Sequence, residues 1–160
     1  MMMYDNYHDF EIIICDICFP KSKLETDIVI STIKNKSEFN SVVKIYKEIF
    51  PNELDEIKGE ELENMPFNSS NSSFIAKVQD NIVGFIITAP IDEKTLLLAY
   101  LGVIKEFRSK GVATKLLETL IFYMKQHEYE KICCTVNKHN IKTLNYIKIL
   151  GFKKLIKDKK

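Results

Sequence analysis

The spacing of apolar and polar residues along the chain predicts a series of helices and strands. Apolar residues recur at helical spacing between Phe39 and Phe50, and again between Val112 and Met124. Runs rich in β-branched and apolar residues, such as 27–34 and 95–104, are typical of strands. The order β-α-α-β-β-β-α-β-α-β predicts a mixed αβ (α+β) protein with a mixed central sheet and helices on both faces. The predicted helices cover residues 39–50, 52–65, 111–127 and 140–150, and the predicted strands cover 27–34, 74–78, 82–89, 95–104, 131–136 and 152–156.

Polar residues and glycines mark the ends of these elements. Asn35 or Ser37 can cap the first helix, and Glu38 stands at capping-box spacing from Asn35. Residues 79–81 form a tight turn between two strands, which predicts a hairpin. Gly151 follows the last helix at the position where a positive φ favours glycine.

The chain length of 160 residues suits one domain, which we place at residues 27–160. Residues 1–26 are irregular in pattern and are interpreted as an N-terminal extension. Within it, the apolar run 10–19 is compatible with an extra strand that has Phe10, Ile12 and Ile14 on one face.

Composition and charge exclude several classes of protein. Hydrophobic residues make up 46% and charged residues 28% of the chain, which excludes a disordered or collagen-like protein. A net charge of +1 gives no whole-molecule attraction to nucleic acid or to a membrane surface, so neither is an expected partner. No apolar stretch reaches the roughly 20 residues of a membrane helix, and the first residues lack the basic region of a secretory signal. These features predict a cytoplasmic protein.

The four cysteines predict no metal site. Cys15 and Cys18 have metal or redox spacing, but a zinc site needs about four ligands and no second Cys/His pair follows at finger spacing. Cys133 and Cys134 are neighbours and point to opposite faces of a strand. Ordinary buried thiols are the favoured interpretation.

The stretch with the clearest chemistry is Leu101–Leu117, where a strand, a basic turn and a helix follow one another. The first N–H groups of a helix have no partner inside the helix, and the helix dipole adds positive potential there. Gly111 and Ala113 let an anion approach the backbone closely, and Lys110 and Arg108, the only arginine of the chain, add charge. The pattern predicts a phosphate-binding turn, with a plain strand-to-helix connection as the alternative.

Residues 103–113 resemble the acetyl-CoA motif of the GNAT superfamily of N-acetyltransferases, V-x-P-x-[YF]-[RQ]-x-x-G-x-[GA], which follows the family's fourth strand. Only the proline of this pattern is lost, replaced by Lys105, and Arg108 stands at the Arg/Gln position. The resemblance extends over about residues 27–156. It implies a GNAT-like acyl-CoA transferase fold, with a mixed, mostly antiparallel sheet flanked by helices.

A second family pattern, V-x-x-x-N followed by G-F at the end of a helix, is also present. Val136 and Asn140 supply its first part, and Gly151 and Phe152 supply its second. The matching spacings and element order make the resemblance specific.

The resemblance implies acetyl-CoA as the co-substrate, with no metal. Backbone groups of residues 101–103 would pair with the pantetheine arm and, near Val103, polarise the thioester carbonyl. Backbone N–H groups of residues 108–114 would hold the pyrophosphate, and Asn140 would contact the arm or its waters. The implied cofactor-binding residues are Leu101, Gly102, Val103, Arg108, Ser109, Lys110, Gly111, Val112, Ala113, Thr114 and Asn140.

Acetyl transfer sets further requirements. The amine must lose a proton, the departing thiolate benefits from an acid, and the oxyanion needs a donor such as a strand N–H. The family's acid is often a Tyr four residues before the Gly of G-F, and Ile147 occupies that position here. Tyr146, one residue earlier, is a candidate acid, with a packed aromatic as the alternative. The candidate proton acceptors are Tyr100, His139 or a water chain that leads to solvent.

We therefore expect an N-acetyltransferase that moves an acetyl group from acetyl-CoA to a primary amine of a small molecule or a protein. The acidic segment 53–63 predicts a cationic acceptor, with a solvated acidic helix as the alternative. A non-catalytic acyl-CoA-binding sensor or regulatory protein is the competing hypothesis, because Ile147 replaces the tyrosine. A nucleotide-binding domain of another fold is disfavoured by the missing glycine motifs. A homodimer is compatible with the sequence.

The C-terminus is short for this superfamily. Members usually continue into a final strand that inserts between the fifth and sixth strands, but only residues 153–160 follow Phe152. We predict that residues 10–19 fill this slot, from the same chain or from a partner, or that the slot stays open. An unpaired edge at the fifth strand would favour aggregation.

Overall fold

The computed structural model describes residues 7–19, 27–50, 53–65 and 72–155, with the side chains of the third range described from residue 58 onward. These residues form a mixed sheet of seven strands with four α-helices, which confirms the predicted fold class. The strands are β1 (Tyr7–Ile13), β2 (Val29–Thr32), β3 (Phe74–Val78), β4 (Asn81–Pro90), β5 (Thr95–Val103), β6 (Lys131–Asn137) and β7 (Lys153–Lys154), and the helices are α1 (Lys36–Ile49), α2 (Glu53–Glu63), α3 (Val112–Gln126) and α4 (Ile141–Leu150).

The sheet has the strand order β2-β3-β4-β5-β6-β1-β7. The β5–β6 pair is parallel, and the recorded pairs that involve β1, β2, β3 and β7 are antiparallel. The described residues group into two compact units that divide β4 and β5 along their length. The first unit contains residues 7–19, 88–99 and 121–155, and the second contains 27–50, 53–65, 72–87 and 100–120.

In the second unit, the start of α1 follows the predicted cap. The Asn35 side chain accepts a hydrogen bond from the Glu38 N–H at 2.9 Å. The Glu38 carboxylate in turn accepts from the N–H of Lys34 at 2.8 Å and from Lys77 of β3 at 2.6 Å. The capping-box partner is therefore Lys34 and not Asn35, and the carboxylate also ties the helix start to the sheet.

The predicted hairpin forms between β3 and β4. Gln79 and Asp80 have φ values of 49° and 69°, which give the left-handed turn that suits the twist of two paired strands. The pairing runs from Phe74 opposite Ile86 to Val78 opposite Asn81, with an irregularity at Ala76/Lys77. The largest fully buried side chains of this unit are Leu62, Ile75, Phe85, Ile86, Leu116, Leu117 and Leu120.

In the first unit, β1 occupies the slot between β6 and β7. Phe10 lies opposite Cys134 on one side and Lys154 on the other, and its side chain is buried. The strand predicted over 10–19 is wrong in its bounds, because pairing begins at Tyr7 and ends at Ile13. The chain then leaves the sheet through a single 3₁₀ turn at Ile14–Asp16.

This turn is held against the end of α4. The N–H of Cys18 donates to the carbonyl of Leu150 at 2.9 Å, which draws the chain away from the sheet after Ile13. Gly151 adopts a φ of 105° as predicted, and a Cβ there would lie 3.3 Å from Ile12 and 3.4 Å from the Asp16 carbonyl. Glycine is thus favoured at this position by its conformation and by its neighbours.

The last strand is shorter than predicted. A strand was expected over 152–156, but the strand is Lys153–Lys154, and residue 156 lies outside the described ranges. One further backbone hydrogen bond, from the Leu155 N–H to the Asp9 carbonyl at 2.8 Å, follows the strand. The N–H of Phe152 is still bonded to the helix carbonyl of Ile147 at 3.0 Å, so the helix end delays the start of the strand.

The cysteines depart in part from expectation. Cys134 is buried and Cys133 is half-buried, but Cys15 and Cys18 are exposed because they lie in the surface turn after β1. Within the described ranges, no three His, Cys, Asp or Glu side chains come together as a potential metal site. None of the helices in the described part of the chain has the length and apolar character needed to cross a membrane.

Candidate functional site

The second unit builds the predicted strand–turn–helix from the end of β5. Gly102 is buried one residue before this end, and the ring of Phe85 in β4 lies directly against it. A Cβ on Gly102 would come within 2.6 Å of Phe85 Cζ, so this strand position tolerates only glycine without a shift. Beyond β5, the N–H of Ile104 donates to the carbonyl of Val83 at 2.9 Å and continues the attachment to β4.

A 3₁₀ turn at Lys105–Phe107 replaces the family's proline-containing segment. The N–H of Phe107 donates to the carbonyl of Ile104 at 3.0 Å, and the N–H of Arg108 donates to that of Lys105 at 3.3 Å. The turn thus closes with its own backbone hydrogen bonds although the proline is absent. The sequence did not predict this short helix.

The side chain of Arg108 folds back onto the strand. Its Nε donates to the Val103 carbonyl at 3.1 Å, while the residue stays exposed. The Lys110 ammonium lies 5.2 Å from the centre of the Phe107 ring, within the range of a cation–π contact. Both basic side chains therefore have contacts inside the turn, which the sequence pattern alone did not show.

The start of α3 has the conformation expected of an anion-binding turn. Ser109 and Gly111 have φ values of 63° and 83°, in the left-handed region. The Gly111 carbonyl accepts the first helical hydrogen bond from Lys115 at 2.9 Å, so the N–H groups of residues 112–114 belong to the first turn. Turns that contain left-handed residues are one known type of anion-binding backbone.

The first turn of α3 packs against β4. Val112 is buried, and its Cγ1 would lie 2.9 Å from a Cβ placed on Gly84. Gly84 therefore allows the helix start to approach the strand closely, as strand glycines commonly do. Thr114 is also buried, which fixes the orientation of this turn.

The remaining predicted site residues, which lie around the start of α4, belong to the first unit. Asn140 caps α4, where its side-chain oxygen accepts from the Thr143 N–H at 3.3 Å. The N–H groups of His139 and Asn140 both bond to Asn137, at 2.9 Å each, so the loop before α4 is well defined. The His139 side chain is exposed.

The two residues considered for the family's acid lie on different faces of α4. Ile147 is buried at 6% exposure and belongs to the core. Tyr146 is half-buried, so its ring is neither fully packed nor fully solvated. The geometry thus leaves Tyr146 accessible, while Ile147 supplies no proton-transfer group.

Tyr100 is part of an aromatic cluster in the second unit. It is only 8% exposed, its hydroxyl donates to the Lys58 carbonyl of α2 at 3.0 Å, and its ring meets Tyr46 edge-on at 5.3 Å. Burial, with a smaller contribution from the charge of Glu61, raises the pKa of Tyr100 to about 12. The phenol is therefore protonated at neutral pH.

Three acidic residues of α2 have described, exposed side chains. Glu63 forms an ion pair with Lys47 of α1, which offsets part of the negative charge. Glu60 and Glu61 are exposed on the same helical turn. The side chains of Glu53, Asp55 and Glu56 lie outside the described set.

The structure thus brings together residues 100–103 and 108–114 in the second unit, and places His139, Asn140 and Tyr146 in the first. Sequence reasoning missed the supporting contacts of Phe85, Gly84 and Lys58. Gly84 inside a strand was the one local signal for such a close approach.

The sheet has a β5 that leads through a glycine-containing turn into α3, and this arrangement can be compared with known families. The sequence model of the acetyltransferase (GNAT) family matches residues 39–152. The chain therefore belongs to the GNAT acetyltransferase family, and the resemblance seen in the sequence is confirmed.

Individual relatives are distant. The chain is 27% identical over 97 residues to the probable N-acetyltransferase camello of Xenopus laevis, over 59% of this chain and 44% of the relative. It spans less than half the length of the curated relatives that it matches.

Solved structures share the fold. PH1933 from Pyrococcus horikoshii OT3 is 25% identical with a TM-score of 0.64, covering 83% of this chain and 93% of that one. A GNAT family acetyltransferase from Elizabethkingia anophelis with acetyl-CoA bound is 19% identical with a TM-score of 0.60, covering 79% and 76%.

Proposed function

We propose that this protein is an N-acetyltransferase that moves an acetyl group from acetyl-CoA to a primary amine of a small molecule or a protein. The observation that supports it most is the turn at the start of α3, where Ser109 and Gly111 take positive φ values. Family membership supports acetyl transfer in general, and a structural neighbour carries bound acetyl-CoA.

The donors of this turn fit the phosphates of acetyl-CoA. Residues 109–114 place backbone N–H groups at a helix start, where the helix dipole favours an anion. Gly111 has no side chain to obstruct an anion, and the Lys110 ammonium lies 5.2 Å from the centre of the Phe107 ring in the same turn. Acetyl-CoA supplies an activated acetyl thioester when bound.

The end of β5 would hold the acyl part of the co-substrate. Residues 101–103 carry the strand N–H and carbonyl groups that we assign to the pantetheine arm and, at Val103, to the thioester carbonyl. The Phe85 ring packs against Gly102, and we propose that this contact positions the strand end for the acyl part of the co-substrate. In the same proposal, Asn140 contacts the arm or its waters from the start of α4.

Proton transfer is assigned to the groups that can carry it at neutral pH. Tyr100 keeps its proton and donates it to a backbone carbonyl, so its role as a proton acceptor is disfavoured. His139, or a water chain that leads to solvent, is the proposed acceptor of the amine proton. Tyr146 is the proposed acid for the departing thiolate.

The acceptor is proposed to be a cation attracted by the exposed carboxylates of α2. Because Glu63 is paired with Lys47, the relevant charges are those of Glu60 and Glu61. We expect the double variant Glu60→Gln, Glu61→Gln to raise the KM of a cationic amine and leave the affinity for acetyl-CoA unchanged. Glu118→Gln, an exposed change on α3, is the matched control. An unchanged KM in the double variant would exclude this role.

Titration calorimetry tests the co-substrate assignment. We expect heat of binding with acetyl-CoA and none with ATP or NAD at equal concentration. Binding of ATP or NAD in place of acetyl-CoA would instead support a nucleotide-binding domain.

The competing function is a non-catalytic acyl-CoA sensor, which the buried Ile147 at the family's acid position favours. A thiol-release assay over a panel of amines separates the two, since a sensor binds acetyl-CoA and releases no CoA. Free cysteines at 15, 18, 133 and 134 are compatible with a reducing compartment, and we propose a cytoplasmic location.

A further inference from the structure

We infer that Tyr100 is a positioning residue that holds helix α2 against strand β5. In this way it positions the helical turn that we assign to binding the acceptor amine. This inference rests on the proposed acetyl transfer. It gives Tyr100 a role different from the proton transfer that its place in the sequence suggested.

The first support is the hydrogen bond between the two elements. Tyr100 lies within β5, and its hydroxyl donates to the carbonyl of Lys58 in α2 at 3.0 Å. A carbonyl oxygen can accept two hydrogen bonds, so this contact adds to the helix's own bond at that residue. Tyr100 as a whole is buried, so little water reaches its side chain.

The second support is the aromatic packing around the same point. Tyr46 of α1 meets Tyr100 edge-on at 5.3 Å, and it lies 6.4 Å from the ring of Phe85. Gly59, the residue after Lys58, lets α2 approach this cluster, since a Cβ there would lie 3.3 Å from Tyr46 Cδ1. The helix is therefore held by a glycine contact and a phenol bond at adjacent residues.

The third support is what lies on either side of the contact. On the strand, Tyr100 immediately precedes residues 101–103, which we assign to the acyl arm. On the helix, Lys58 is within one turn of Glu60 and Glu61, whose side chains are exposed. The hydrogen bond from Tyr100 to Lys58 thus links β5, whose end we assign to the pantetheine arm, with the turn of α2 that we assign to the acceptor amine. It does not involve the turn at the start of α3.

The variant Tyr100→Phe tests this role, because it keeps the ring and removes only the hydroxyl. We expect the amine KM to rise about threefold to tenfold, the effect of one net hydrogen bond. The affinity for acetyl-CoA, kcat and the pH profile should change less than about twofold. Amide hydrogen exchange of residues 59–65 should become faster, since α2 loses its tether. Tyr129→Phe, a half-buried tyrosine of the first unit, is the control.

Gly59→Ala is a second, independent test. It places a Cβ 3.3 Å from Tyr46 Cδ1 and leaves Tyr100 intact, and we expect it to raise the amine KM in the same way. The inference predicts that both variants share a higher amine KM and normal acetyl-CoA binding. Faster exchange in α2 is expected for Tyr100→Phe alone, because alanine favours the helix more than glycine does.

Three results would overturn the inference. A fall in kcat of about 100-fold or more with an altered pH profile would show direct proton transfer by Tyr100. A lower Tm with an unchanged amine KM would show a purely structural role. Unchanged exchange in α2 would show that the bond does not hold the helix. If the wild type acetylates no amine, the proposed function fails. Amide hydrogen exchange in the wild type and in Tyr100→Phe then still tests whether Tyr100 holds α2 in place.

Discussion

The contact between Gly102 and Phe85 predicts that even the smallest side chain at position 102 disturbs the end of β5, which we assign to the pantetheine arm. In Gly102→Ala the new Cβ would lie 2.6 Å from Phe85 Cζ and 3.0 Å from Cε1. Phe85 is fully buried, so its ring cannot turn out into solvent. Overpacking of this kind costs about 1–3 kcal/mol, and in a chain of this length each kcal/mol lowers Tm by about 2–4 °C.

A double-mutant cycle isolates this contact. Phe85→Leu removes the ring atoms that the new Cβ meets, so the double variant should be more stable than the sum of the single losses by about 0.5–3 kcal/mol. Unfolding in denaturant measures the four stabilities, and calorimetry measures acetyl-CoA binding. We expect Gly102→Ala to weaken that binding and Phe85→Leu to restore part of it.

Additive losses within about 0.5 kcal/mol would refute the reasoning, because they would show that the two positions do not press on one another. Acetyl-CoA affinity in Gly102→Ala equal to that of the wild type would likewise contradict the assignment of this strand to the pantetheine arm.

Further predictions concern the other supporting contacts. Arg108→Gln keeps an N–H that can reach the Val103 carbonyl, so it should weaken acetyl-CoA binding less than Arg108→Lys does. Weaker binding by Arg108→Gln than by Arg108→Lys, with a stronger dependence on salt, would instead indicate a charge contact between Arg108 and a phosphate. The hydrogen bond from Lys77 lowers the pKa of Glu38. The stability that this carboxylate adds is therefore present above its unfolded pKa and is lost as pH falls through its folded pKa. In urea unfolding, the Glu38→Gln variant should not show this loss of unfolding free energy at acid pH. Gly151→Ala, at a φ of 105°, should cost about 1–3 kcal/mol by denaturant midpoint, and a normal midpoint would contradict strain there.

Local patterns predicted those parts of the fold that depend on neighbouring residues. The cap at Asn35 and the left-handed Gly151 follow from residue types that satisfy helix ends wherever they occur. The bounds of β1 and β7 were wrong because long-range pairing sets them. β1 reaches back to Tyr7, and β7 is reduced to two residues where it meets Phe10 and Glu11.

The candidate site divides in the same way. Its phosphate-binding turn was predictable, since a strand end, a glycine and a helix start are contiguous in the chain. The contacts that support it were not, because Arg108 could equally have pointed to solvent and Tyr100 finds its partner 42 residues away at Lys58. A periodic pattern identifies Tyr100 as a strand residue but cannot show which backbone carbonyl its hydroxyl will meet.

The central claim is that this protein transfers an acetyl group from acetyl-CoA to an amine. Comparing acetyl transfer by the wild type with that by the Gly111→Val variant tests this claim most directly. Valine at a φ of 83° is strongly disfavoured, so this variant should lose the conformation of the turn. With acetyl-CoA and a panel of amines, we expect the wild type to release CoA only when an amine is present, in step with acetylated amine found by mass spectrometry, and the variant to lose both. Tight acetyl-CoA binding by the wild type without amine-dependent release would contradict the proposed enzyme and favour a sensor.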